Sequence, residues 1–449
     1  MEHFEELGAL LQGNRLPELR SALREMNAVD IAAFMEDLPK ERALLVFRLL
    51  PKDLCADVFS YMEDTAQQLM IVESISDREV RAVIEDLFLD DAVDFLEEMP
   101  ANVVKRVLRS VDKGTREQIS EFLKYPQDSA ASLMTVEFVE LHDHYTVREA
   151  FARLRATAVD KETVDLLYAI DRTHHLTGFI SLYKLVTSPE DALLSDCMER
   201  NVLAVNAFDD KELVAQTFTR YDLSAMPVVD NEGRLVGLIT VDDVVDVIQE
   251  ENTEDIQIMA ATTPNDKPYL QTGVLSLSKD RVLWLLILMI SATVTGSIIT
   301  SFEGVLQSSV ALAAFIPMLM DTGGNAGAQS STLIIRGIAL GEIRIGDMLR
   351  VLWKEFRISI LVGLALAAVN FGRILLFTSS GAMVSLTVSL SVFLTVIVAK
   401  TIGGLLPIVA KLCRLDPAVM ASPLITTIVD AIALIVYFLF AVNLLHIAA

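Results

Sequence analysis

Residues 282–302 form a run of about 20 positions without one charged side chain, most of them apolar. Coiled as a helix at about 1.5 Å per residue, such a run crosses the roughly 30 Å hydrocarbon core of a bilayer. Four more runs follow: 305–320, which is short and continued by glycines, 358–377, 384–412 and 419–447. A membrane part with five spans is therefore expected over residues 281–449. The chain changes character where that part begins. Residues 1–280 hold 27 Lys and Arg against 54 Asp and Glu, a net of −27, and residues 281–449 hold 10 against 7, a net of +3.

An acidic half of this size argues against nucleic acid as a partner, because phosphate binding needs clustered cations, and points to cations instead. Three cysteines (Cys55, Cys197, Cys413) without CxxC spacing give neither a disulfide framework nor a zinc site. The N-terminus, Met1-Glu2-His3-Phe4-Glu5-Glu6, lacks the basic and apolar regions of a signal peptide, so the acidic half is expected in the cytosol. With that orientation, Arg336, Arg344, Arg350, Lys354, Arg357, Lys411 and Arg414 fall on the inside. The outer connections carry no Lys or Arg except Arg373 near one edge, as the positive-inside rule requires. The C-terminus then faces out.

The soluble half reads as two pieces. Residues 1–125 show apolar positions at spacings of three and four, closed by Leu38-Pro39, Leu50-Pro51 and Met99-Pro100 steps. Short amphipathic helices follow from this, stacked as a small solenoid or gathered as a bundle. Residues 126–250 alternate β-branched runs with helices and repeat once at an offset of about sixty residues. Tyr168-Ala169-Ile170-Asp171 answers Pro227-Val228-Val229-Asp230, and Leu176-Thr177-Gly178-Phe179-Ile180-Ser181 answers Leu235-Val236-Gly237-Leu238-Ile239-Thr240. This piece resembles a tandem pair of CBS domains. The resemblance implies a possible nucleotide (ATP) contact at Gly237, Thr240 and Asp243, whereas the first copy has Lys184 in the aspartate position.

Two acidic stripes stand out. Asp90, Asp94, Glu97 and Glu98 share one helical face, and Asp242, Asp246, Glu250 and Glu254 recur every four residues beside Asp243, Glu251 and Asp255. Like charges so placed repel by a few tenths of a kcal/mol per pair. Either these are solvated faces or they hold a hard divalent cation such as Mg²⁺ between them.

In the membrane half, Met320-Asp321-Thr322-Gly323-Gly324-Asn325-Ala326-Gly327-Ala328-Gln329-Ser330 lies at bilayer depth, where three glycines are expected to interrupt the helix and line a pathway. Asp430 lies inside the last span, where a carboxylate costs on the order of 3 kcal/mol unless partnered or wet. It is the leading pore residue, with Thr426 and Thr427 as further acceptors. Asn325 and Gln329 are open between lining the pore and packing helices. Arg373 and Lys400 read as anchors or packing charges.

These strings, with Lys400-Thr401-Ile402-Gly403-Gly404-Leu405-Leu406-Pro407 and Ser422-Pro423-Leu424-Ile425-Thr426-Thr427-Ile428-Val429-Asp430, resemble the MgtE family of magnesium channels over essentially the whole chain. The resemblance implies a multidomain membrane protein: an all-α helical solenoid N domain (1–125), an α/β tandem CBS pair (126–250), a connecting plug helix (251–280) and an all-α pore domain of five transmembrane helices (281–449). It implies a homodimer in membrane lipid, with Mg²⁺ as permeant and regulatory ion and with Asp430 and Ser422 at the pore. Regulatory ions are expected at Asp57, Asp90, Asp94, Glu212, Asp222, Asp243, Asp246, Glu251, Glu254, Asp255 and Asp416. The alternatives are a Na⁺- or H⁺-coupled transporter and a membrane-anchored nucleotide sensor. Six His and no nucleophile-base pattern or P-loop speak against an enzyme.

Overall fold

In a computed structural model, residues 2–158, 161–265, 269–270, 272–378 and 381–446 are described, and they divide into two compact units, 1–247 and 248–449. The N-terminal helices are α1 (Glu2–Gln12), α2 (Leu16–Leu23), α3 (Ala28–Glu36), α4 (Lys40–Leu49), α5 (Lys52–Ser60), α6 (Thr65–Ser74), α7 (Asp77–Asp86), α8 (Leu89–Glu97), α9 (Ala101–Ser110) and α10 (Lys113–Phe122). Pro39, Pro51 and Pro100 each sit at the N-cap of the following helix. A proline disfavours helical backbone in the residue before it and presets the φ of its own position, so each X-Pro step closes one helix and opens the next. Elsewhere side chains do the capping: Asp64 accepts from the amides of Ala66 and Gln67, and Ser76 with Glu79 forms a capping box. α3 packs on α5, α5 on α7 and α7 on α9, while α4 packs on α6 and α8 on α10. Helices alternating between two layers in this way are the packing of a solenoid. Its core includes Phe47, Phe59 and Phe95, whose rings meet edge-on at 6.3 and 4.9 Å.

The repeat then takes shape as two equivalent sheets. β1 (Glu140–His142), α11 (Val147–Thr157), β2 (Leu166–Ile170), β3 (Leu176–Ser181), α12 (Leu182–Thr187) and α13 (Leu194–Cys197) are followed by β4 (Val205–Asn206), α14 (Lys211–Tyr221), β5 (Ala225–Val229), β6 (Leu235–Thr240) and α15 (Val241–Met259). In each sheet the first strand is parallel to the second and the second antiparallel to the third. The copies exchange their opening segments. Thr135 bridges to Leu238 of β6, and Glu199 bridges to Phe179 of β3. A Cβ at Gly237 would sit 2.5 Å from the Met134 sulfur, and one at Gly178 would sit 2.7 Å from the Met198 sulfur. The two glycines are thus required by the methionine of the other copy that lies against them.

The second unit contains α16 (Val274–Ser301), α17 (Glu303–Ser308), a 3₁₀ turn over Val310–Phe315, α18 (Ile316–Ala339), α19 (Met348–Phe377), α20 (Ala382–Leu412), a 3₁₀ turn over Pro417–Met420 and α21 (Ser422–Leu445). Among the described residues, four segments are long and apolar enough to cross a membrane: Val274–Ser301, Ile345–Phe377, Ala382–Leu412 and Pro417–Leu445. The expected second span differs. Residues 305–320 do not form one helix; α18 starts at Ile316, with Pro317 in its first turn, and runs unbroken through the glycines for 24 residues. A glycine costs a helix about 1 kcal/mol relative to alanine in water. Here the missing side chains make room for neighbours: a Cβ would lie 2.7 Å from Thr395 at Gly323, 2.8 Å from Thr426 at Gly324 and 2.7 Å from Ile425 at Gly327. Close helix approach through small residues replaces the expected break. The stretch 251–280, expected as one connecting helix, is shared between the end of α15 and the start of α16, with Asp266, Lys267, Pro268 and Gln271 outside the described residues.

Candidate functional site

The first turn of α8 carries Asp90 and Asp91, where the helix dipole favours carboxylates. The first turns of α15 carry Asp242, Asp243 and Asp246. Glu137 and Glu162 join them from loops of the first CBS copy, the Glu162 amide donating to the Glu137 carbonyl at 2.9 Å. Burial and then the charge of Asp243 hold the Asp90 carboxyl well above the usual range. Burial, with Asp243, Asp57, Asp242 and Glu137 adding, raises Asp91 to about 6. Burial, with Asp243, Asp242 and Asp91, raises Glu162 to about 7. Asp243 is pushed up to about 6 by burial, against a hydrogen bond from the Thr240 hydroxyl at 2.8 Å. Asp246 is raised by burial and by Asp242. Among the described residues, the groups that act most strongly on them include no cation. Asp90 Oδ1 and Glu162 Oε2 are buried with no hydrogen-bond partner among the described residues. Buried acceptors left this way are costly, and oxygen donors gathered without a counter-charge suit a hard divalent cation. Among the described residues no three Asp, Glu, His or Cys side chains converge closely enough to hold a metal ion, so this is an acidic cleft rather than a finished cage.

Of the residues expected to act together, Asp57, Asp90, Asp243 and Asp246 do gather. Asp91, Glu137 and Glu162 belong with them and were not anticipated. The α8 stripe is not one surface: Asp94 is exposed, Glu97 accepts from Gln127 at 2.9 Å and Glu98 accepts from Thr65. Glu212 and Asp222 lie exposed at opposite ends of α14, Asp222 as its left-handed C-cap at φ 50°, outside the cleft. Glu251, Glu254 and Asp255 lie on the part of α15 that belongs to the second unit. Asp416 caps the turn before α21, its Oδ1 accepting from the Ala418 amide at 2.7 Å. Gly237 packs against Met134 and the Thr240 hydroxyl donates to Asp243, which also belongs to the acidic cleft.

In the second unit, Asp321, Asn325 and Gln329 recur every four residues along α18, exposed on one face. Asn325 donates to Asp321 at 3.0 Å. The carboxylate of Asp430 on α21 is half-buried and near enough to Asp321 for the two charges to interact. Thr426 and Thr427 donate to the Pro423 carbonyl at 2.9 and 3.0 Å, leaving their hydroxyl lone pairs to accept. The Ser422 side chain lies outside those described. Asp321 was present in the sequence but read only as part of a motif; its spacing to Asn325 and Gln329 was the available signal. A polar face at bilayer depth implies water or protein against it.

A second polar group in this unit is closed. The Ser330 hydroxyl donates to buried Glu355 at 2.6 Å, and buried Lys400 reaches Ser330 at 3.4 Å and Gln329 at 3.4 Å. Opposite charges thus meet through one hydroxyl between α18, α19 and α20. The next residue, Ser331, donates to the Met420 carbonyl at 2.7 Å and ties α18 to the turn that precedes α21.

Comparison with known proteins agrees with this division. Residues 316–440 match the MgtE family model, described as a divalent cation transporter, residues 26–128 match the MgtE intracellular N domain, and residues 194–250 match the CBS domain. The chain is 36% identical over 431 residues to the magnesium transporter MgtE of Thermus thermophilus, covering 95% of each chain. It is 31% identical over 441 residues to that of Bacillus subtilis, covering 97% of this chain and 96% of the relative. Among solved structures, the soluble part of a magnesium transporter superposes with a TM-score of 0.52 at 30% identity, covering 56% of this chain and 98% of that one. The cytosolic domain of the Mg²⁺ channel MgtE in complex with ATP gives 0.52 at 34% identity, covering 54% and 99%.

Proposed function

Since the chain belongs to the MgtE family of divalent cation transporters, we propose that it is a homodimeric Mg²⁺ channel of the cell membrane, closed by high cytosolic Mg²⁺. The observation that carries this reading is the pair of carboxylate groups left without counter-charge, one on each side of the division at 247/248. Asp430, with Thr426, Thr427 and Asn325, forms the permeation site. Two protomers about a two-fold axis would double it into a ring, and Mg²⁺, which sheds water reluctantly, would pass with much of its hydration shell. The apolar face of α16, with Leu283, Leu286 and Ile290 exposed, is then covered by lipid or the second protomer. The C-terminus lies outside.

The carboxylates of Asp57, Asp90, Asp91, Glu162, Asp243 and Asp246 would hold the regulatory ions. Their orphaned oxygens and mutual repulsion fit a hard cation. With their charge compensated the N domain and CBS pair draw together, and without it they separate; the closed state is favoured because it binds more ions. Glu212, Asp222, Glu251, Glu254, Asp255 and Asp416 are further ligands on this reading. ATP modulation is supported by the relative solved with ATP.

The reading is tested on protein reconstituted in liposomes. Current should reverse at the Mg²⁺ equilibrium potential whatever the Na⁺ or H⁺ gradient, and should fall as cytosolic-side Mg²⁺ rises. Dependence on either gradient would make it a coupled transporter; absence of flux would leave a sensor.

A further inference from the structure

Against the acidity of the soluble half, α7 and α9 carry a basic groove. α9, with the sequence Ala-Asn-Val-Val-Lys-Arg-Val-Leu-Arg-Ser, has three cations and no carboxylate. It packs against α7, and between them lies a cavity of about 670 Å³. The cations at this cavity fall into two groups. Arg106 and Arg81 are engaged: Arg106 donates to the Val72 and Ile75 carbonyls at 2.7 and 2.8 Å and to Asp77 at 2.8 Å, and Arg81 meets both oxygens of Glu85 at 2.9 Å. Arg78, Lys105 and Arg109 are exposed and have no ion pair among the described residues. Lys105 and Arg109, four apart on one helix, repel each other.

We propose that this groove binds a phosphate-bearing anion. The engaged arginines fix the walls and hold Asp77 and Glu85, while the three remaining cations make no ion pair among the described residues, so one anion can bridge them. Guanidinium forks and an ammonium at a shared cavity suit phosphate oxygens, which accept several charge-assisted hydrogen bonds at once. An acidic peptide is a poorer match, because every residue lining the groove is of a polar or charged type and none is an aromatic or aliphatic residue of the kind that anchors a peptide side chain. The site is separate from the acidic cleft, whose residues come from α5, α8, α15 and the loops around Glu137 and Glu162. The phosphate has two sources, a soluble oligophosphate or the headgroup of an anionic lipid.

The test uses the full chain in nanodiscs without divalent cations, with tripolyphosphate as the soluble probe. In phosphatidylcholine nanodiscs, tripolyphosphate should slow hydrogen exchange in α7 and α9. The Arg78→Gln/Lys105→Gln/Arg109→Gln variant should bind it at least tenfold more weakly. Arg20→Gln/Arg24→Gln/Lys40→Gln, which removes the same charge elsewhere, should change binding less than twofold. Arg78→Lys/Arg109→Lys should keep binding, which separates lost charge from lost fold. If phosphatidylglycerol nanodiscs alone give that protection, and the triple variant loses it, the source is the lipid. Equal loss in the two triple variants, or no protection by either phosphate source, would overturn the proposal.

Discussion

The two halves hold acids in opposite ways. In the membrane unit Glu355 is buried deeply, yet a serine hydroxyl and a lysine accompany it. In the soluble unit Asp90, Asp91, Glu162 and Asp243 crowd one another, and among the described residues no cation is among the groups that act most strongly on them. A compensated buried acid is part of the architecture. An uncompensated cluster stores repulsion that protons or metal ions relieve, and so can report their concentration. Asp430 and Asp321 belong with the second kind although they lie in the membrane half, which is why they stand out there as the candidate pathway.

The largest effect should come from the uncompensated acid at the membrane. Asp430→Ala is expected to reduce Mg²⁺ flux to background in liposomes while the protein elutes as a folded dimer. Wild-type flux from such a protein would place Asp430 among the packing residues, with Glu355. Next in size is the soluble cluster. Asp90→Asn/Asp91→Asn/Asp243→Asn should conduct with unchanged selectivity and remain active at cytosolic Mg²⁺ concentrations that silence the wild type. Neutral side chains relieve repulsion, as protons do, but only a bound divalent ion adds several short charge-assisted contacts that hold the closed state, so the loss of those contacts should dominate. Closure at the wild-type concentration would mean that these acids do not hold the regulatory ion.

The compensated group gives a contrasting expectation. Lys400→Met leaves Glu355 buried without its cation and should cost about 3 kcal/mol, lowering the unfolding temperature measured in detergent. Lys400→Met/Glu355→Gln should recover most of that loss, since neither charge is then left alone. If the double variant is no more stable than the single one, the two charges do not compensate each other and the division drawn between the halves fails at its structural end.

Much of this was legible in the sequence because the signals were local. The X-Pro steps at Pro39, Pro51 and Pro100 marked helix boundaries, and the sixty-residue repeat marked the two sheets. Glycines 323, 324 and 327 do not interrupt the helix as their type suggests, because Thr395, Thr426 and Ile425, distant in sequence, occupy the space they leave. The helix start was nonetheless written at Pro317. The acidic cleft was half legible: periodicity found Asp90, Asp243 and Asp246, but Glu137 and Glu162 lie in loops that only the tertiary fold brings to α8 and α15. Periodicity also overcounted, since Glu97 and Glu98 share a face with Asp90 yet are engaged with Gln127 and Thr65.

The smallest expected effect is a dependence on pH that only the uncompensated cluster should show. Asp91 and Asp243 are raised to about 6 and Glu162 to about 7, above the usual values near 4. A carboxyl raised on folding favours the folded packing while it is protonated. That contribution is complete below about pH 4 and is lost as pH rises through 6 to 7. Without divalent cations, spin labels placed on α6 and α11 should therefore report a shorter and narrower distance at pH 5.5 than at pH 8. Added Mg²⁺ should restore the short distance at pH 8, and more of it should be needed to saturate its binding at pH 5.5, because ion and proton compete for the same oxygens. Glu162→Gln should remove the part of the transition nearest pH 7 and leave the part near 6. A distance that ignores pH in the absence of Mg²⁺ would mean that these carboxylates do not repel across the cleft, and the soluble half would then keep its acids as quietly as the membrane half keeps Glu355.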